Sequence, residues 1–447
     1  MQKREEKRKA ISGLAVMNPY AAGADIGDTR HDIAINDGKG GHVVRTYGTF
    51  TSDIQDAVNW LKEEGITTIA MESTGVYYLT FYLMCEEAGI EPYLVNARHV
   101  KNVTGRKKDE TDAMWIQRLH TCGLLKSCFQ PDNDFRTLRT FVRQRKGLIT
   151  RSSDEVRRMQ KSLEQMNIKI HVVISDILGK TGMQIIQAII NGNHDPEDLS
   201  KLRDPRIKAS REDIIKSLQG IWKAEYLFTL SQAYDTYMFY QKQIQECDRK
   251  IHEQLSIQVA KANEGEVPVE EKNKKKVKAR KNQFTMPVEP LLRSLTGVDL
   301  CKIPSISETS AVEFISEIGI DTKKWSNIKS FTSWLNVVPN TKITGGKIIS
   351  SKVMKKKNRA GQTLRMACTS LHSNKTVIGD YYRRMSYKYG GRGASLATAH
   401  KLAKIIYTML DKKLEFSLVQ LVDSQNRYRE EKIRQLERQI DRLRKVA

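Results

Sequence analysis

Apolar and polar residues alternate along the first 130 positions with a period that keeps switching between that of a strand and that of a helix. Gly23 to Asn36 (GADIGDTRHDIAIN) reads as two short strands, and His42 to Thr49 as a third. Ser52 is placed to cap a helix carrying Ile54, Ala57, Val58 and Leu61 on one side. The apolar run Ile66 to Met71 suits a buried strand, and Val76 to Ala88 a helix packed on it. Pro92 to Val95 gives one more strand, before a basic loop and a helix from about Asp109 to Cys122. This alternation predicts an α/β domain: a mixed sheet with helices on its faces.

From Asp134 to Ala262 the pattern changes. Glycine becomes rare, Arg, Gln, Glu, Lys, Ile and Leu dominate, and long helices are predicted, interrupted around Gly192 to Pro205. Helices of that length pair with each other or with another protomer. Glu264 to Pro290 contains KNKKKVKARK and three prolines, and reads as a basic linker. Beyond it, Leu300 to Ile318 looks like two short helices joined by a tight turn at Pro304 to Ser307. Residues 342 to 359 are strongly basic, with a turn at Gly345-Gly346. Helices are predicted at Gly361 to Ser373 and Ala397 to Leu410. The tail from Arg427 carries Ile433, Leu436, Ile440 and Leu443 at 3-4-3 spacing. The expected organisation is α/β plus all-α: an amino-terminal domain (1–133), a helical, coiled-coil region (134–262), the linker (263–290), a mainly helical domain (291–411) and a helical extension (412–447).

Composition narrows the partners. Lys and Arg number 75 against 52 Asp and Glu, a net charge of +23, and such a surplus favours a polyanion through counterion release. No run of 18 apolar residues can span a membrane, and the charged start MQKREEKRKA has no secretory apolar core. A cytoplasmic location is expected, with no membrane partner. Six cysteines lack any CxxC pair and nine histidines lack an HExxH arrangement, so neither a disulfide framework nor a zinc hydrolase is indicated.

Four acids are candidates for chemistry. Asp25 lies in the first predicted strand, Glu72 ends the run Ile66 to Met71, and Asp109 and Asp112 stand three apart at a helix start, on one face. Carboxylates gathered at one sheet edge repel unless divalent cations neutralise them, and two Mg2+ held so can serve phosphodiester chemistry. Each acid alone has a plainer reading, since Asp-x-x-Asp at a helix start also compensates the helix dipole.

The motifs ADIG, MESTGVYY and VNARHVKNVTGRKKDETDA resemble the RuvC-like domain of the DEDD insertion-sequence transposases, the bridge-RNA-guided recombinases. LCKIPSISETSAVEFISEIG, SFTSWLNVVPNTKITGGK, NRAGQTLRMACTSLHSNK and TAHKLAKIIYTML are similar, in order, to that family's second domain. The resemblance implies a RuvC/ribonuclease H-like sheet and places the four metal-binding acids on Asp25, Glu72, Asp109 and Asp112. It implies Ser370 as nucleophile, with Ser373 its nearest rival, and Mg2+ as cofactor. It further implies a tetramer built from dimers, in which one protomer's serine meets another's acids. A structured guide RNA would pair with target and donor DNA. Ser305 and Ser307 stand where the family commonly carries glycines, and Lys108 precedes Asp109 where a smaller polar residue is usual. Two basic clusters suit phosphate contacts: Arg98, Lys101, Arg106, Lys107 and Lys108, and Lys352, Lys355, Lys356, Lys357 and Arg359. A RuvC-like endonuclease that uses water would need the acids but not Ser370, and a non-catalytic nucleic-acid binder would need neither.

Overall fold

A computed structural model describes residues 15–73, 75–97, 100, 111–263, 282–351, 353–354 and 358–417, with six positions between 430 and 440. The chain divides into two compact units at Gln130/Pro131.

The first unit is a five-stranded sheet, β1 (Ala21–Ile26), β2 (His31–Asn36), β3 (His42–Tyr47), β4 (Thr68–Glu72) and β5 (Glu91–Val95), in the order β3-β2-β1-β4-β5. β1 to β3 form an antiparallel meander, while β4 and β5 run parallel to β1. This is the ribonuclease H-like mixed sheet expected from the sequence. Helices α1 (Thr51–Glu63) and α2 (Tyr78–Glu87) cover one face around Ile33, Leu61, Ile69, Met71 and Phe81, all fully buried. Helix α3 (Asp112–Thr121) covers the other, burying Trp115, Ile116 and Leu119 on Ala70 and Val95. The start of α1 differs from expectation. Phe50 holds the cap position, its backbone N–H donates to Asp53 Oδ2 at 3.2 Å, and Ser52 lies inside the first turn.

In the second unit, the long helices α4 (Asn133–Gln165) and α9 (Ala224–Ala262) pack against each other. They run antiparallel: Gln258 Nε2 donates to Asp134 O at 2.9 Å, Gln241 Nε2 to Ser152 Oγ at 2.8 Å, and Ser162 and Thr229 hydroxyls meet at 2.9 Å. Midway, the buried guanidinium of Arg145 pairs with Asp248 and also donates to the carbonyls of Asn282 and Gln283 at 3.1 Å, so both charges are fully partnered. The predicted break at Gly192 to Pro205 is wider than the sequence suggested. Residues 166–223 fold back as α5 (Ile170–Val173), α6 (Lys180–Ile190), α7 (Pro196–Ser200) and α8 (Arg211–Leu218) around Ile185, Ile186, Leu199, Ile214 and Leu218. A Pro at the start of α7 and Ser210 capping α8 set those short helices off.

The chain then forms α10 (Glu289–Thr296), a 3-10 turn (Leu300–Lys302), α11 (Glu308–Ile318), α12 (Ile328–Trp334), the hairpin β6 (Lys342–Thr344) and β7 (Lys347–Ser350), α13 (Arg359–Ala367) and α14 (Val377–Lys412). Phe331 anchors this part, edge-on to Phe314 and Trp325. α14 starts twenty residues before the predicted helix, capped by Thr376, and it kinks where Gly390 takes φ +70°. Residues 264–281 of the predicted linker, and Leu436 and Leu443 of the terminal stripe, lie outside the described residues. Ile433 and Ile440 of that stripe are exposed. Among the described residues no helix is long and apolar enough to cross a membrane, and none of the six cysteines is in a disulfide.

Ser305, in the turn before α11, adopts φ +82°, and its hydroxyl is buried without a hydrogen-bond partner. A side chain in that region costs about 1–2 kcal/mol, while glycine tolerates it. Ser305→Gly is therefore expected to stabilise the chain by about 1 kcal/mol after its own entropy cost, read as a higher urea midpoint with an unchanged slope.

Candidate active site

β4 runs parallel to β1 with Ala24 beside Met71, so one step further brings Asp25 alongside Glu72 at the carboxyl ends of both strands. Side chains alternate across a strand. Ala24 and Met71 belong to the core under α1 and α2, which turns Asp25 and Glu72 to the face covered by α3. Both are half-buried.

The path of α3 is set by β1. The amides of Met17 and Asn18, just before β1, donate to Thr121 O at the end of α3 (2.9 and 3.0 Å), and Gln117 Nε2 donates to Ala21 O at 3.2 Å. Over Gly23 the helix backbone comes so close that a Cβ there would lie 2.2 Å from Gln117 N and 2.6 Å from Ala113 O. α3 thus runs antiparallel to β1, and its first turn, opening with Asp112, reaches the end of the strand that carries Asp25. Thr111 caps that turn by accepting from Met114 N at 3.3 Å. The helix N-terminus favours negative charge at Asp112.

Three of the four acids are thereby brought to one end of one sheet face. Asp109 lies outside the described residues, and the helix begins at Asp112 rather than at Asp109 as expected. Among the described residues, no group of three or more His, Cys, Asp or Glu side chains is arranged to hold a metal ion. The oxygen donors themselves are of the hard type that Mg2+ takes. One acid the sequence reading passed over is Asp32, directly opposite Asp25 in the β1–β2 register and on the same face. Its carboxylate accepts from Thr46 Oγ1 at 2.6 Å and lies 3.5 Å from Arg30 Nε. Cross-strand register, invisible without the pairing, is the only signal for it.

Ser370 occupies a different setting from the predicted helix. α13 stops at Ala367, and residues Cys368–Leu371 form one 3-10 turn. Buried Cys368 and Leu371 pin the turn inward, which leaves Thr369 and Ser370 exposed. The Ser370 hydroxyl donates to Ala367 O at 3.0 Å, so its lone pairs face solvent. Ser373 is exposed too. Arg383 fixes the following loop by donating to the carbonyls of His372 and Asn374 (3.1 and 2.6 Å).

A family model for DEDD-type transposases of IS110 elements matches residues 22–168, the stretch containing all four acids. A second model, described as the transposase IS116/IS110/IS902 family, matches residues 299–383, around Ser370. The chain belongs to the IS110-type DEDD transposases. No curated protein matches it. The two matches fall in the same order along this transposase as the motifs read from the sequence, and they make it a protein that acts on DNA.

Most of the basic residues expected to contact nucleic acid (Arg98, Lys101, Arg106, Lys107, Lys108, Lys352, Lys355, Lys356 and Lys357) lie outside the described residues. Arg359 is described, in the first turn of α13.

Two histidines of the first unit are buried. His31, with its ring 5.8 Å from that of Phe81, is held below its ordinary pKa by burial, against the opposing charge of Asp25. His120 lies 2.9 Å from Thr68 Oγ1 and against Tyr93, and burial pushes its pKa down to about 4. Since the unfolded chain protonates His120 near its ordinary value, stability is complete above that value and is lost as pH falls toward 4. At pH about 4.5 the loss from this group is about 2.5 kcal/mol. His120→Phe keeps the ring packing without the titration. Urea unfolding at neutral pH and near pH 4.5 should show a smaller acid loss in the variant by roughly that amount.

Proposed function

We propose that this transposase cuts and rejoins the DNA of a mobile element through a phosphoserine bond made by Ser370, at a site whose acids are Asp25, Glu72, Asp109 and Asp112. The observation that carries the reading is the convergence of Asp25, Glu72 and the first turn of α3 on one face at the strand ends. Those acids would hold Mg2+, which supplies positive charge to offset that developing on a scissile phosphate.

Ser370 Oγ loses its proton, attacks phosphorus and forms a P–O bond. The bond from phosphorus to the DNA 3′-oxygen breaks, and that oxygen leaves as a 3′-hydroxyl once protonated. Because the phosphoester is kept on the serine, attack by a 3′-hydroxyl of another strand releases Ser370 and seals DNA without ATP. The exposed, turn-borne hydroxyl suits access by a large substrate.

A structured guide RNA and an oligomer with catalytic groups drawn from different subunits complete the reading. A protein whose positive charge serves backbone contacts leaves sequence choice to base pairing. The test is a cleavage reaction with Mg2+ and duplex DNA, resolved on a denaturing gel with and without protease. A protease-sensitive DNA band of retarded mobility, absent with chelator, is the expected result. Free cleaved ends with no such band would replace the scheme with hydrolysis by water. RNase treatment that left site-specific exchange intact would remove the guide.

A further inference from the structure

The hairpin β6–β7 has no core of its own. Residues 339–349 are exposed without interruption, and Ile343, Ile348 and Ile349 show 62%, 66% and 68% of their surfaces to solvent. A lone two-stranded hairpin is marginal in water, and three exposed β-branched residues on it add surface that only a partner can cover. The backbone is nonetheless well specified. Gly345 and Gly346 both take positive φ (53° and 75°), which closes a tight two-residue turn, and Ile343 faces Ile348 across the strands.

Charge identifies the partner. Between Asp321 and Asp380 the sequence has no acidic residue, against twelve Lys and Arg. Lys342 and Lys347 belong to that run and sit on the hairpin itself. An acidic surface would suit the lysines, but a second copy of this stretch would bring like charges together. Geometry favours one kind of polyanion. From Lys342 to the turn the hairpin reaches roughly 10 Å at about 3.3 Å per residue. The major groove of B-form DNA is about 12 Å wide and 8.5 Å deep and admits a two-stranded ribbon. The major groove of A-form RNA is too narrow for side chains to read.

We propose that the hairpin Lys342–Ser350 enters the major groove of duplex DNA, setting isoleucines against base edges such as the thymine methyl, with Lys342 and Lys347 on phosphates. This rests on the DNA reading above and adds a direct protein contact to duplex beside any paired guide. It is tested by fluorescence anisotropy of the full chain on a DNA duplex and an RNA duplex of one sequence, at about 50 and about 200 mM salt. The variant I343S/I348S/I349S should lose tenfold or more of its DNA affinity, with the salt slope, RNA-duplex affinity, melting temperature and oligomer size unchanged. K342Q/K347Q should instead lower the slope of log affinity against log salt by about 1.8, the equivalent of two phosphates. Unaltered DNA binding by the triple variant, an equal loss on RNA, or a drop in oligomer size would overturn the proposal. Wild-type protein that bound no duplex DNA would overturn both it and the reading it rests on.

Discussion

Ser370→Ala is expected to abolish the covalent protein–DNA adduct and to slow strand exchange by at least about three to four orders of magnitude. The structure makes this a clean substitution. The hydroxyl is exposed, its single hydrogen bond goes to Ala367 O within the same turn, and the turn is held by Cys368 and Leu371. Removing the oxygen therefore leaves no buried group unpaired and should shift stability by well under about 1 kcal/mol. Loss of activity with an unchanged unfolding curve and unchanged DNA binding would mark a chemical role. Ser373→Ala is the companion variant, since Ser373 is equally exposed, and it should retain the adduct. Asp25→Asn should also lose the adduct, by removing charge from the acid site while Ser370 stays in place. Were Ser370→Ala to cut at the wild-type rate, the nucleophile would be water, and the acids alone would account for cleavage.

What could be read without coordinates follows from the range of the interactions involved. Strand and helix periodicity is local, so β1 to β5 and α1 to α3 were legible nearly to their ends, and Asp25 and Glu72 could be set on strands. The side of the sheet they face depends on which strand pairs with which, and Asp32 shows the consequence: it is opposite Asp25 only through the β1–β2 register. The helix expected to carry Ser370 ends early because the chain turns at residues 368–371 to seat Cys368 and Leu371 in the core. Propensity alone gives LRMACTSL no reason to stop. The fold of residues 166–223 was hidden for a similar reason, since short helices gain their stability from a shared core rather than from their own length.

Gly23→Ala should damage the same site from a distance. The methyl group would lie 2.2 Å from Gln117 N and 2.6 Å from Ala113 O, both backbone atoms that no rotamer change can move. β1 is the central strand, bonded on both sides to β2 and β4, so α3 must give way instead. Helix α3 is tied at its far end by the amides of Met17 and Asn18 and by Gln117 to Ala21. It would therefore pivot, moving Asp112 away from Asp25. A cost of about 3 kcal/mol is expected, at the upper end for adding a methyl to a packed interior. A displacement of about 1 Å at the reacting groups is worth about another hundredfold in rate. Gly147→Ala is the control: it lies within α4 with nothing within 4 Å of the added carbon, and should stabilise by up to about 1 kcal/mol. Activity measured well below the melting temperature of Gly23→Ala separates the two effects. Folded Gly23→Ala protein that cut at the wild-type rate would show that the approach of α3 to β1 does not position the acids.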